Sequence, residues 1–261
     1  MEDHHRKAIE KFCQLYKEEP TVSAILLGGS IAHGFATPAS DIDLIIIVDE
    51  LEYKKKKKDN NLAFSLRDIC DYPGGYIDCK VINRKFLNTL IDRGSDPARY
   101  AFQDSIILFS KITNLEQILE EIVKFPVQEK AVRRKRFASQ LLAWKWFYGE
   151  GIKKQNQYLI YLSIQKLVLF SSRLVLNENN MLYPYHKWLL SVLGQAQDKP
   201  GGFEQAIIQL MTGHTLAIVE EFCHGILDYA GVDEKNLDWP NQFLLDSELN
   251  WVEHEAPVDD L

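Results

Sequence analysis

The chain has 261 residues, 46% hydrophobic and 26% charged, with a formal net charge of −7. That length admits one large domain or two small ones, each able to bury a core, and the composition is ordinary for a globular protein. The acidic balance argues against broad, sequence-independent binding to nucleic acid, which needs a net basic face.

Cys13, Cys70, Cys79 and Cys223 are widely spaced and form no CxxC pair, which excludes the usual zinc spacing. The polar start MEDHHRKAIEKF does not resemble a signal peptide. No run reaches the ~18 uncharged apolar residues of a membrane span. The most apolar helix candidate, 158–176, is interrupted by Gln165, Lys166 and Arg173. The expectation is a cytoplasmic protein with reduced thiols and no membrane partner.

In chain order, residues 4–18 are predicted to form an amphipathic helix, with Ala8, Ile9, Phe12 and Cys13 near helical spacing and Pro20 as its stop. Residues 22–27 read as a buried strand that runs into the turn Gly28-Gly29. Ser30 is placed to open a short helix, which Pro38 ends. Residues 43–48 are a second buried strand. The five lysines 54–58 are expected in a solvated loop. Residues 62–71 are expected to be helical, 76–82 a third strand, 86–92 a short helix and 105–109 a fourth strand. After residue 113 only helical patterns appear: 115–124, 129–148, 157–176, 185–193, 203–211 and 214–229. Pro126, Gly149 to Gly151, Asn177 to Asn180 and Pro200-Gly201-Gly202 are the expected breaks. The tail after Trp239 is acidic and poorly patterned. The fold class is therefore α+β: a small, mixed, twisted sheet with helices on one side over residues 1–125, then an all-α bundle over 126–261.

The stretch LGGSIAHGFATPASDIDLIIIV, 27–48, carries the chemistry. Gly28 and Gly29 let the backbone turn sharply and approach a ligand closely. Ser30 adds a hydroxyl and free backbone N–H groups at one spot, which suits a phosphate. Asp41 and Asp43, at i and i+2 at the head of a strand, present both carboxylates on one face. Asp78 lies inside the third apolar strand, an expensive place for an unpaired charge. If that strand pairs with 43–48, three carboxylates meet, and oxygen ligands of this kind suit Mg²⁺ or Mn²⁺ completed by triphosphate oxygens. A Gly-Gly-Ser turn alone is uninformative and Asp-x-Asp alone is weak. Their conjunction at this spacing, followed by an acid on a later strand, is not.

Gly29, Ser30, Asp41, Asp43 and Asp78 together resemble the signature of the DNA polymerase β-like nucleotidyltransferase superfamily, over roughly residues 22–82. With Gly34 and Ser40 before Asp41, the chain looks most like its small bacterial branch, the minimal, aminoglycoside- and lincosamide-type nucleotidyltransferases. The resemblance implies transfer of a nucleoside monophosphate, AMP from ATP, onto an acceptor hydroxyl with release of pyrophosphate. Asp41, Asp43 and Asp78 would bind the metals, and Gly28, Gly29 and Ser30 the triphosphate. It implies a helical second domain too, from which Lys187 would reach the triphosphate, with Lys166 and Arg173 as rivals. An aminoglycoside- or lincosamide-like small molecule is the expected acceptor. A protein or tRNA acceptor in a toxin–antitoxin setting, or a non-catalytic nucleotide-binding module, are the alternatives.

Position 33 is His where minimal relatives usually carry Arg, so His33 is a candidate nucleotide contact with a packing role as its alternative. Arg133 to Arg136 are expected to be solvated, and Asp104 to be a turn residue.

Overall fold

The structure, a computed structural model, describes residues 1–252 and 255–260. The chain divides into two compact units, Met1–Lys124 and Phe125–Leu261.

The first unit is α1 (Asp3–Tyr16), β1 (Val22–Leu27), α2 (Gly29–Ala32), β2 (Ile42–Val48), α3 (Glu50–Lys58), β3 (Ala63–Leu66), β4 (Ile77–Asn83), α4 (Arg84–Arg93), α5 (Asp96–Tyr100), β5 (Ile106–Ser110) and α6 (Leu115–Val123). Its five strands lie in the order β3-β4-β2-β1-β5. β2 and β4 run parallel, and the other neighbours are antiparallel. The central strands are apolar almost without interruption because both faces are covered. Ile25, Leu27, Leu44, Ile46, Cys79 and Val81 pack with Ala8, Ile9 and Phe12 of α1. Ala24, Leu26, Ile45, Ile47 and Ile82 pack with Leu87 and Leu90 of α4 and Leu119 and Ile122 of α6. Helices thus cover both sides of the sheet, not one.

Three other expectations are corrected. Residues 63–66 form an edge strand rather than a helix: Phe64 and Leu66 point inward while Ala63 and Ser65 are exposed, the period of a strand. The lysine run is helical. Asp49 caps α3 by accepting from the Glu52 N–H at 2.9 Å, and acids in its first turn with lysines in its last complement the helix dipole. The strand expected to be fourth is the fifth.

The second unit is helical, with no strand among its described residues: α7 (Lys130–Lys153), α8 (Gln157–Glu178), α9 (Leu189–Gly194), α10 (Phe203–Gly213), α11 (Leu216–Tyr229) and α12 (Trp239–Phe243). α7 and α8 form a long antiparallel hairpin against which α10, α11 and α12 pack. Gly149 to Gly151 do not end α7. A Cβ at Gly151 would meet Ile160 at 2.9 Å, so this glycine lets the two helices approach at their hinge. The tail expected to be unpatterned begins with α12 and a π turn over Leu244–Glu248, while 253, 254 and 261 lie outside the described residues.

Candidate active site

β1 ends beside the start of β2, and the chain then turns through Gly28. The Gly28 N–H donates to the Asp43 carbonyl at 2.9 Å, locking the turn to the strand that carries the acids. Gly29 sits at φ +61°, and a Cβ there would collide with the Asp43 side chain. Only glycine therefore lets this backbone lie against that carboxylate. Ser30 follows, 5% exposed, its Oγ buried without a hydrogen-bond partner. A buried hydroxyl left unsatisfied is a cost that a bound polar group would remove.

Asp43 stands directly opposite Asp78 in the parallel β2–β4 register. Adjacent strands lie about 4.8 Å apart, and residues in register point to the same face. Asp41 lies two residues before Asp43, one residue outside β2. Its Oδ2 accepts from the Tyr76 hydroxyl at 2.8 Å. Tyr76 is itself two residues before Asp78, and the Arg67 guanidinium lies 4.9 Å from its ring. The hydrogen bond to Asp41 and the charge of that carboxylate, followed by burial and then by the charges of Asp78 and Asp43, hold the Tyr76 phenol above its ordinary range.

The loop before Asp41 is braced from behind. The Ser40 carbonyl accepts from the Tyr72 hydroxyl at 2.8 Å and lies 3.2 Å from His5 Nε2. His4 Nε2 lies 2.9 Å from the Pro38 carbonyl, and Ser40 Oγ accepts from the Thr37 N–H at 2.9 Å. Burial pushes the Tyr72 phenol up to about 12 and the His5 imidazole down, with neighbouring His4 adding to the latter. Tyr72, Tyr76 and His5 were not singled out from the sequence. For Tyr76 a signal existed, since strand alternation places it on the face of Asp78.

Among the described residues, no three His, Cys, Asp or Glu side chains stand ready as a preformed metal cage. The donor set nonetheless fits Mg²⁺ or Mn²⁺. Mg²⁺ keeps several waters and binds through one or two carboxylates plus substrate phosphates, not through an all-protein shell. Asp43 and Asp78 in register, with Asp41 bonded to Tyr76 two residues from Asp78 and the unsatisfied Ser30 hydroxyl beside the turn, supply oxygen donors of that kind.

His33 is drawn inward: its side chain is 4% exposed, Nδ1 lies 3.4 Å from Asp104 Oδ2, and the ring lies 4.8 Å from that of Tyr100. Asp104, at φ 58°, is both a turn residue and the partner of His33. Lys187 belongs to the second unit, where it is exposed with its ammonium 5.0 Å from the Trp188 ring. Lys166 lies 5.7 Å from the Trp144 ring, and Arg173 lies 4.5 Å from Phe137 and 4.3 Å from Tyr183. The run Arg133 to Arg136 is less solvated than expected. Arg134 makes a two-pronged pair with Glu178, and Arg136 pairs with Asp246 at 3.0 Å.

A family profile described as "Nucleotidyltransferase domain" matches residues 5–146. No curated protein matches the sequence. Among solved structures, a nucleotidyltransferase-like protein from Exiguobacterium sibiricum is similar over 96% of this chain and 80% of that one, at 15% identity and a TM-score of 0.49.

Proposed function

Because the chain belongs to the nucleotidyltransferase domain family, and is on that ground a nucleotidyltransferase, we propose that it moves AMP from ATP onto a hydroxyl of a small-molecule acceptor. The acceptor oxygen attacks the α-phosphorus in line, the bond to the bridging oxygen breaks, and pyrophosphate leaves. The hydroxyl proton passes to solvent or to a nearby base. Mg²⁺ or Mn²⁺, when bound, supplies charge neutralisation of the phosphates and activation of the acceptor oxygen. Asp41, Asp43 and Asp78 hold that charge in place, and Tyr76 fixes which way the Asp41 carboxylate faces. Ser30 and the backbone of Gly28 and Gly29 orient the triphosphate. His33 and Lys187 remain proposed nucleotide contacts. Phosphoryl transfer is mostly positioning and electrostatics, so this short inventory suffices.

The observation that supports the reading best is the register of Asp43 on Asp78 beside a glycine turn whose serine hydroxyl has no partner. An aminoglycoside- or lincosamide-like acceptor and a cytoplasmic location complete the proposal. The test is pyrophosphate release from each nucleoside triphosphate with Mg²⁺ or Mn²⁺, against pools of aminoglycosides, lincosamides, tRNA and cell-extract protein. Release with the antibiotic pools that falls about 1,000-fold in Asp43→Asn supports it. Release only with tRNA or protein replaces the acceptor. Metal-dependent ATP binding without release in any pool turns the reading towards nucleotide sensing.

A further inference from the structure

A cavity of about 930 Å³ opens wholly within the second unit, floored by the α7–α8 hairpin. That is at the upper end of the range for small-molecule sites. The hairpin lines it in rungs. One rung sets Arg173 of α8 over Phe137 of α7, and the next sets Lys166 over Trp144. Lys166 and Arg173 are seven residues apart, two turns, so they project from one face about 10 Å apart. Tyr158, one further step along α8, stands at the mouth, 75% exposed.

The platform is held rigidly. Buried Gln140 accepts from the Trp144 indole N–H at 3.3 Å and donates to Ser247 Oγ at 2.8 Å, which fixes the plane of the indole. Lys166 is half-buried, and among the described residues its ammonium has only an aromatic ring beside it. A half-buried cation gives up hydration that a bound anion would replace. Asn250 lines the same space with Oδ1 buried and unsatisfied, an acceptor for a donor on a ligand. Of the acids on the wall, Asp246 is engaged by Arg136 at 3.0 Å and Gln242 at 3.1 Å.

We propose that this cavity binds a small anionic ring compound, a planar aromatic system bearing a phosphate or a carboxylate. Lys166 meets the anion, Trp144 offers an aromatic wall on the same rung, and Tyr158 stands at the mouth to flank the ring. Stacking on an aromatic face tolerates any planar ring, while the cation selects charge. The assignment uses the second unit alone and does not depend on the roles of Asp41, Asp43 and Asp78.

The test is titration calorimetry on the full chain without divalent metal. One arm uses AMP and UMP, the other indole-3-acetate and 4-hydroxybenzoate; adenosine, indole and inorganic phosphate are controls. We expect at least one arm to bind with a Kd of roughly 1 mM or tighter, and the uncharged rings and bare phosphate to bind about tenfold more weakly. Lys166→Gln should weaken the bound probe about tenfold and Tyr158→Ala at least about threefold, with Asp43→Asn unchanged. Tyr158 is exposed enough to be truncated without disturbing packing, so Tyr158→Ala decides the matter even if Lys166→Gln is unstable. The arm that binds names the source, nucleotide or aromatic acid. No binding in either arm, binding indifferent to Tyr158→Ala, or binding lost in Asp43→Asn would overturn the proposal.

Discussion

Gly29 and Asp43 occupy space that leaves no room for a methyl group between them. Gly29→Ala combines a left-handed backbone, unfavourable for any residue with a Cβ, with a collision against the carboxylate. It should cost about 3 kcal/mol in denaturant unfolding and lower pyrophosphate release about 100-fold by moving Asp43. His5 makes a second residue-scale prediction. Its ring is fully buried, with Nε2 near the Ser40 carbonyl and Nδ1 accepting from the Glu2 N–H at 3.4 Å. Both contacts suit the neutral ring protonated on Nε2; adding a proton to Nδ1 destroys the second. Because the folded-state pKa is lowered from 6.5, the stabilisation is complete above that value and is lost as pH falls through the lowered one. Urea midpoints measured from pH 8 to pH 5 should fall, and His5→Phe should flatten that part of the fall. At this scale the glycine turn and the three acids were visible in the sequence, because spacing along one strand and turn chemistry are local. The braces His5, Tyr72 and Tyr76 were not, because their partners lie 32 to 35 residues away.

Among the elements, β1, β2 and β4 were legible as apolar runs bounded by turns, whereas the β2–β4 pairing that sets Asp43 opposite Asp78 was only a condition of the sequence reading. β3 was lost because four residues carry too little periodicity to outweigh the helical look of their surroundings. α3 was lost because a lysine run scores as solvated loop, although its acids and lysines are ordered along the helix dipole. In the second unit the helices were visible from their 3.6-residue pattern, but what ties them was not. Arg134, Lys130 and Asn177 converge on Glu178 and clamp the start of α7 to the end of α8. Burial alone would raise the Glu178 pKa. The hydrogen bonds from Arg134 and Asn177, with the charges of Arg134 and Lys130, outweigh it and hold the carboxyl below its ordinary 4.5. The clamp is therefore whole above pH 4.5 and is lost as pH falls through the lowered value. Glu178→Gln should cost about 2 kcal/mol at pH 7 in thermal or chemical unfolding, the figure reduced because Arg134 is 34% exposed, and the loss should shrink towards pH 3.

At the level of the whole molecule, among the described residues one helix, Gln157–Glu178, is long and apolar enough to cross a bilayer, yet 56% of its most apolar window is buried inside the protein against its neighbours. Its apolarity belongs to a core. Each unit has such a core, so ligand effects should be visible as stabilisation of the unit that holds the site. Mg²⁺ with a non-hydrolysable ATP analogue at 100 times its Kd should add about 2.7 kcal/mol, a rise of about 5–10 °C in the melting temperature of the full chain. Asp43→Asn should abolish the rise, and a scan with and without metal reads this directly. The other acid of the pair makes a prediction for the protein without ligand. Two carboxylates opposite each other on neighbouring strands repel, at about 0.2–1 kcal/mol. Asp78→Asn should leave the empty protein melting higher than its parent. On the proposed role of this pair a ratchet follows at Asp78: a lineage released from the demand for activity gains robustness by giving up that acid, and continued selection for the reaction is what keeps both charges in register.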